Sequence, residues 1–90
     1  MNKTEFIDAV SASADMPKAS VTKTLEAMID VVADTLKKGD QVTLVGFGTF
    51  LVRRREAREG RNPRTGASMH IAASNVPAFK AGKALKDAVN

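Results

Sequence analysis

Six arginines fall within twelve residues of this chain, at positions 53–64, and their type and spacing point directly to binding chemistry. Two glutamates lie in the same window, so its net charge is six minus two, or +4. The other 78 residues (90 minus 12) hold eight lysines and eight carboxylates, which cancel, so the window carries the whole formal charge of the protein. The arginines are Arg53, Arg54, Arg55, Arg58, Arg61 and Arg64.

This concentration of arginine indicates a polyanionic ligand, with nucleic acid first and an anionic membrane second. A guanidinium group stays charged, is planar and weakly hydrated, and enters narrow A·T-rich minor grooves. A run of arginines can also be no more than a solvated face. We favour the binding interpretation because no other segment of the chain has this composition.

Asn62-Pro63 lies between two of these arginines, in a stretch of turn-forming residues at positions 60–66. A proline carried between cationic side chains is the kind of apolar wedge that minor-groove proteins insert between base steps to kink DNA. The same proline is equally consistent with an ordinary turn. The residues by themselves leave both interpretations open.

Catalytic and metal chemistry find little support in the sequence. Gly46-Phe47-Gly48 is a GxG, but Leu51 occupies the place of the third glycine and no βαβ unit follows. The chain has no cysteine, and His70, its one histidine, makes no zinc site alone. We expect no enzyme activity, no metal and no cofactor.

The length of the chain predicts a single small domain, residues 1–90, that dimerises. If residues 53–76 project outward, about 66 residues remain for a core, below the ~70–80 at which one core is usually sufficient without a staple. With no cysteine for a disulfide, oligomerisation is the remaining route. No apolar run is long enough to span a membrane, and the first residues lack the apolar segment of a signal peptide, so we expect a cytoplasmic protein.

Two helices should come first. Asn2 is a good N-cap, with Glu5 placed to close a capping box, so the first helix should run over residues 3–14. A second helix is expected over residues 18–38, with Gly39 as its C′ residue. Its broad apolar stripe, which includes Ile29, Val32 and Leu36, favours a core and dimer seam over a ligand groove.

Strands should follow over residues 41–45, 49–59 and 68–80, and a short helix should open at Gly82. The expected fold class is α+β, in the order α-α-β-β-β-α. Two paired strands of ~10 residues, at ~3.3 Å per residue, reach ~33 Å, close to the ~34 Å of one turn of B-DNA. Such a ribbon is marginally stable outside a core, so we expect this protruding pair of strands, the arm of the protein, to be mobile without its ligand.

The chain resembles the HU/integration host factor family of bacterial histone-like proteins over its full length. The similarity lies in Gly46-Phe47-x-x-Phe50, in Arg55-x-x-Arg58-x-Gly60-x-Asn62-Pro63-x-Thr65, in residues 76–89, and in the HU-like start Met-Asn-Lys-Thr-Glu. The resemblance implies a two-fold dimer with a helical base, a saddle of sheets, and two β-arms in the minor groove of DNA. It also implies a dimerisation body at residues 1–52 and 77–90, a flexible arm at residues 53–76, and Pro63 as the intercalating wedge.

The residue patterns and the resemblance together predict two sets of site residues. The DNA-binding set is Lys3, Gly46, Gly48, Arg53, Arg55, Arg58, Arg61, Asn62, Pro63, Arg64, Lys80, Lys83 and Lys86. The dimer-core set is Ile29, Val32, Leu36, Leu44, Phe47, Phe50 and Phe79. Lys3, Lys18 and Lys83 also lie near predicted helix N-termini. The helix dipole disfavours a cation at that end, so three lysines in this position indicate helix ends that face an anion. Exposed lysines that simply tolerate these positions are the alternative.

The return strand departs from the family pattern, because residues 67–75 are poor in lysine and Ala72 stands where a proline is common. This half of the arm should release fewer counterions than in a lysine-rich relative. We predict a homodimeric, largely sequence-independent DNA-bending protein of the nucleoid. The serious alternative is a sequence-preferring factor of the integration host factor type; RNA binding is a weaker option, and a heterodimer with a paralogue stays open.

Overall fold

A computed structural model describes all residues, 1–90, as three helices and five strands. Two compact units are present, Met1–Asp34 and Thr35–Asn90. The elements are α1 (Lys3–Ala14), α2 (Lys18–Lys37), β1 (Val42–Leu44), β2 (Gly48–Arg55), β3 (Arg58–Arg61), β4 (Ser68–Ile71), β5 (Ser74–Ala81) and α3 (Lys83–Ala88). The α+β class is confirmed. No helix is both long and apolar enough to cross a membrane.

Capping chemistry defines both ends of α1. The Asn2 Oδ1 accepts a hydrogen bond from the Glu5 N–H at 2.8 Å, as predicted. The helix ends where Asp15 takes a left-handed conformation (φ 53°), which a short polar side chain tolerates. The N–H groups of Asp15 and Met16 both donate to the Ser11 carbonyl.

The unit Met1–Asp34 holds little enclosed apolar surface. Ile7 on α1 and Val21 on α2 are the only buried hydrophobic side chains of the whole chain, at 8% and 5% exposure. Beside them lies an open apolar groove of about 270 Å³, lined by residues of both helices, such as Phe6 and Met28, and by Met16 in the connection between them. Those three side chains remain between 42% and 52% exposed. The two helices therefore pack on each other without closing a core.

The end of α2 confirms Gly39 as the C′ residue. Gly39 has a positive φ of 83° and donates to the Leu36 carbonyl at 3.0 Å. The next N–H, that of Asp40, donates to the Thr35 carbonyl at 3.2 Å. These two bonds form a Schellman motif, which satisfies carbonyls that the last turn would leave unpaired.

The strands form two separate antiparallel sheets. The larger has the order β1-β2-β5, and its β2–β5 pairing runs from Gly48↔Ala81 to Arg55↔Ser74. The smaller contains β3 and β4 alone. The predicted continuous strands 49–59 and 68–80 were therefore wrong: residues 56–57 interrupt the first and residues 72–73 the second. Three of these four residues are alanines, which are weak strand formers, and Glu56 turns back to pair with Arg54 at 3.0 Å.

Gly48 is the point where the larger sheet packs most tightly. A Cβ built there would lie 2.7 Å from the Lys80 carbonyl oxygen and would also collide with the Phe79 ring. Glycine at this position lets Phe79 pack against Phe47 and Phe50, with ring centroids 5.4 and 5.0 Å apart. The three rings form one cluster at the base of the arm.

That ring cluster is not enclosed within one chain, since Phe47 and Phe79 are 45% and 41% exposed. Other large apolar side chains are equally open: Ile29 is 53% and Leu44 41% exposed. No side chain in the protein is fully buried. A single chain therefore leaves much of its apolar surface in contact with water.

Candidate nucleic-acid interface

The distal arm is a two-stranded ribbon with two different faces. Its register pairs Arg58 with Ile71, Glu59 with His70, Gly60 with Met69 and Arg61 with Ser68. Because side chains alternate along a strand, one face carries Gly60, Met69 and Ile71 together with Arg58. The opposite face is polar and carries Glu59, His70, Arg61 and Ser68.

The tip of the arm is held by three hydrogen bonds in which Asn62 takes part. Its backbone N–H donates to the Ala67 carbonyl at 2.9 Å, and its carbonyl accepts from the Gly66 N–H at 2.8 Å. Its side-chain Oδ1 accepts from the Arg64 N–H at 2.9 Å, which forms an Asx turn around Pro63. These contacts leave Pro63 exposed at the end of the ribbon.

The arginines are distributed along the whole arm. Arg53, Arg54 and Arg55 lie at the end of β2, Arg58 and Arg61 on β3, and Arg64 in the tip turn; all six are exposed. Arg54, bonded to Glu56, is the one arginine within ion-pair distance of a carboxylate. The second acid of the window, Glu59, contacts His70 instead. Five guanidinium groups therefore remain free to bind an external anion.

The base of the arm places backbone and lysine groups close together. Gly46 has a φ of 85°, which favours glycine, and makes the turn between β1 and β2. The Phe47 carbonyl accepts from the Gly82 N–H at 2.8 Å and so joins this turn to the start of α3. A shallow groove of about 230 Å³ there is lined by Gly46, Gly48 and Lys80, among others. Lys83 and Lys86 lie on α3 and are exposed.

Lys3 and Lys18 belong to the other unit, where carboxylates already contact them. The Lys3 Nζ lies 3.3 Å from the Glu26 Oε1, and the Lys18 Nζ lies 3.1 Å from the Asp8 Oδ1. Both pairs are about half exposed or more, so their net contribution to stability is small. An external phosphate would have to compete with these carboxylates.

Two features of the site were not predicted from the sequence, namely the Glu59–His70 contact and the separation of the arm into two ribbons. The first depends on strand register, which follows from how the tip turn closes. Counting residues outward along both strands from the Asn62–Ala67 hydrogen bond gives this register and pairs Glu59 with His70. No three metal-ligating side chains come together anywhere in the structure.

Comparison with known proteins agrees with this geometry. A model of a family described as bacterial DNA-binding protein matches residues 1–90. The chain belongs to this family. It is 62% identical over 90 residues to DNA-binding protein HU-beta of Pseudomonas aeruginosa, with both chains covered completely. It is 63% identical over 89 residues to DNA-binding protein HU-alpha of Vibrio proteolyticus, with 99% of each covered.

The solved structures give the same result. An Anabaena HU–DNA cocrystal structure superposes with a TM-score of 0.90 at 47% identity, covering 99% of this chain and 97% of that one. The resemblance seen in the sequence is therefore confirmed. These relatives are of the HU type, so the integration host factor alternative is not favoured.

The role of Asn62 in shaping the tip is testable. Asn62→Ala removes the acceptor for the Arg64 N–H, so the backbone order parameters of Arg64 and Thr65 should fall toward the flexible range, below about 0.6. Asn62→Asp keeps an oxygen that closes the same turn and should preserve the wild-type values. ¹⁵N relaxation measures both variants; a tip that is equally ordered in Asn62→Ala would show that the side chain does not hold it.

Proposed function

We propose that this protein binds double-stranded DNA as a homodimer and bends it with little dependence on sequence, compacting the nucleoid in the bacterial cytoplasm. The observation that carries this proposal is that the arm presents five unpaired arginines and ends in an exposed proline. Membership of the bacterial DNA-binding protein family supports it. The family is one of structural DNA-binding proteins, so the chain is not an enzyme.

The open apolar surface supports a dimer. Ile29, Leu44, Phe47 and Phe79 are each more than 40% exposed in the single chain. Burying a fully exposed side chain of this kind is worth about 1.5–3 kcal/mol, so burying the exposed remainder of each would contribute roughly half of that. We assign the dimer core to residues that share this exposed or half-exposed apolar character: Ile29, Val32, Leu36, Leu44, Phe47, Phe50 and Phe79. Residues 1–52 and 77–90 would form the dimerisation body.

The DNA-binding part would be the arm, residues 53–76, one from each protomer. Its unpaired guanidinium groups neutralise phosphates and release counterions, which supplies sequence-independent affinity. Lys80, Lys83 and Lys86, with the backbone at Gly46 and Gly48, would contact phosphates at the base of the arm. Lys3 would contribute less, because it must first leave Glu26.

Bending would come from Pro63 and from the presence of two arms. An apolar wedge between base steps costs a few kcal/mol of unstacking, which the additional protein surface on the bent duplex offsets. Preference among DNA molecules should then follow deformability, so nicked or gapped duplexes, which cost less to kink, should bind more tightly than intact ones.

The charge component of this proposal is tested by salt dependence. Arg58→Ala or Arg61→Ala removes two charges per dimer and should lower the slope of log K against log salt by up to about 1.8, at about 0.9 per phosphate contact. Lys23→Ala removes an exposed charge from α2, outside the proposed interface, and should leave the slope unchanged. Fluorescence anisotropy titrations across a salt series measure all three; equal slopes for wild type and the arginine variants would exclude these residues as phosphate contacts.

The wedge component is tested by bending. Pro63→Ala keeps the charge of the arm, so its salt slope should match that of the wild type. Its bend, measured by FRET between dyes at the two ends of a bound duplex, should be smaller because no apolar ring enters the base stack. Bending equal to that of the wild type would mean that Pro63 serves the turn alone.

A further inference from the structure

Glu59 and His70 face each other across the distal ribbon of the arm. Their Cα atoms are register partners, and the His70 Nδ1 lies 3.2 Å from the Glu59 Oε1. The two side chains are 67% and 70% exposed, so solvent protons and ions reach both. Glu59 is one of two acids in the arginine window, and His70 is the single histidine of the chain.

The charged groups around His70 are few. β4 pairs with β3 alone, and β3 presents Arg58, Glu59 and Arg61. Arg58 points to the opposite face, above Ile71, and Arg61 shares the polar face, opposite Ser68. β4 itself contributes no other charged residue. Glu59 is thus the one carboxylate in contact with the imidazole.

We propose that this pair makes DNA binding proton-linked, because protonated His70 cancels the charge of Glu59 within the interface. The inference rests on the proposed DNA-binding function. With neutral imidazole, residues 53–70 carry the +4 of the arginine window; with imidazolium they carry +5. The nearby phosphates of bound DNA favour the cationic form, so the complex holds more protons than the free protein.

The sign of the effect follows from linkage. If the protein–DNA complex holds more protons than the free protein, DNA affinity rises as the pH falls through the range in which those protons are taken up. Imidazole is the side chain that ordinarily gains its proton between about pH 5 and pH 8. DNA affinity should therefore rise as the pH is lowered through this range. The other acid of the window, Glu56, contacts the Arg54 guanidinium and not an imidazole, so we expect its effect on binding to be independent of pH.

The test compares DNA affinity at two pH values with the full-length protein and an intact labelled duplex at constant salt. Between about pH 7.5 and about pH 5.5, wild-type Kd should fall roughly threefold to tenfold, and the salt slope should steepen by up to about 1.8 per dimer. His70→Gln should lose both changes, so its Kd and its salt slope should each be the same at the two pH values. Glu59→Gln should bind DNA more tightly than the wild type at the higher pH, because the carboxylate charge is already absent.

Glu56→Gln is the matched control. It removes the same charge from the same arm but leaves the Glu59–His70 pair intact, so binding should tighten at both pH values while their ratio stays that of the wild type. A wild-type Kd that does not change with pH, or a His70→Gln variant that keeps the change, would overturn the inference while leaving DNA binding in place. Failure of the wild type to bind DNA at either pH would instead contradict the proposed function, and this inference with it.

Discussion

The apolar side chains of a single chain do not close around one another, and the other properties of the molecule depend on this constraint. Only Ile7 and Val21 are buried, while the ring cluster of Phe47, Phe50 and Phe79 is open to water on one side. Net stability of a domain is the small difference between burial and conformational entropy. We expect a second copy to complete the core of a chain with so little enclosed surface, and that copy would bring a second arm.

The arm depends on the same ring cluster. Gly48 admits the Phe79 ring, which fixes β2 against β5 at the base, and the two strands then extend as far as Arg55 and Ser74. Beyond the interruption, the distal ribbon has only cross-strand pairs and the Asn62 turn to hold it. A short two-stranded ribbon of this kind is marginal by itself. Phosphates that bound there would relieve the mutual repulsion among its unpaired arginines, so we expect charge and order to be coupled in this segment.

Much of this could be predicted from the sequence, because the signals are local. Asn2 and Gly39 determine helix ends through their own hydrogen bonds and backbone conformation, and the arginine window indicates the candidate interface by charge alone. The interruption at residues 56–57 and 72–73 was missed because no glycine or proline marks it. The Glu59–His70 pair was missed because it requires the register of two strands, which is a property of the closed turn and not of either strand. Which apolar side chains meet across a dimer depends on a second chain, so the apolar periodicity of one helix does not predict these contacts.

The dependence on a second copy is tested most directly by thermal unfolding of the wild-type protein, followed by far-UV circular dichroism over a range of protein concentrations. If folding and association are coupled, mass action predicts that the midpoint rises steadily as the protein concentration is increased about a hundredfold. An unfolding midpoint that is the same at every concentration would show that one chain is stable alone. That result would contradict the central claim that the dimer completes the core.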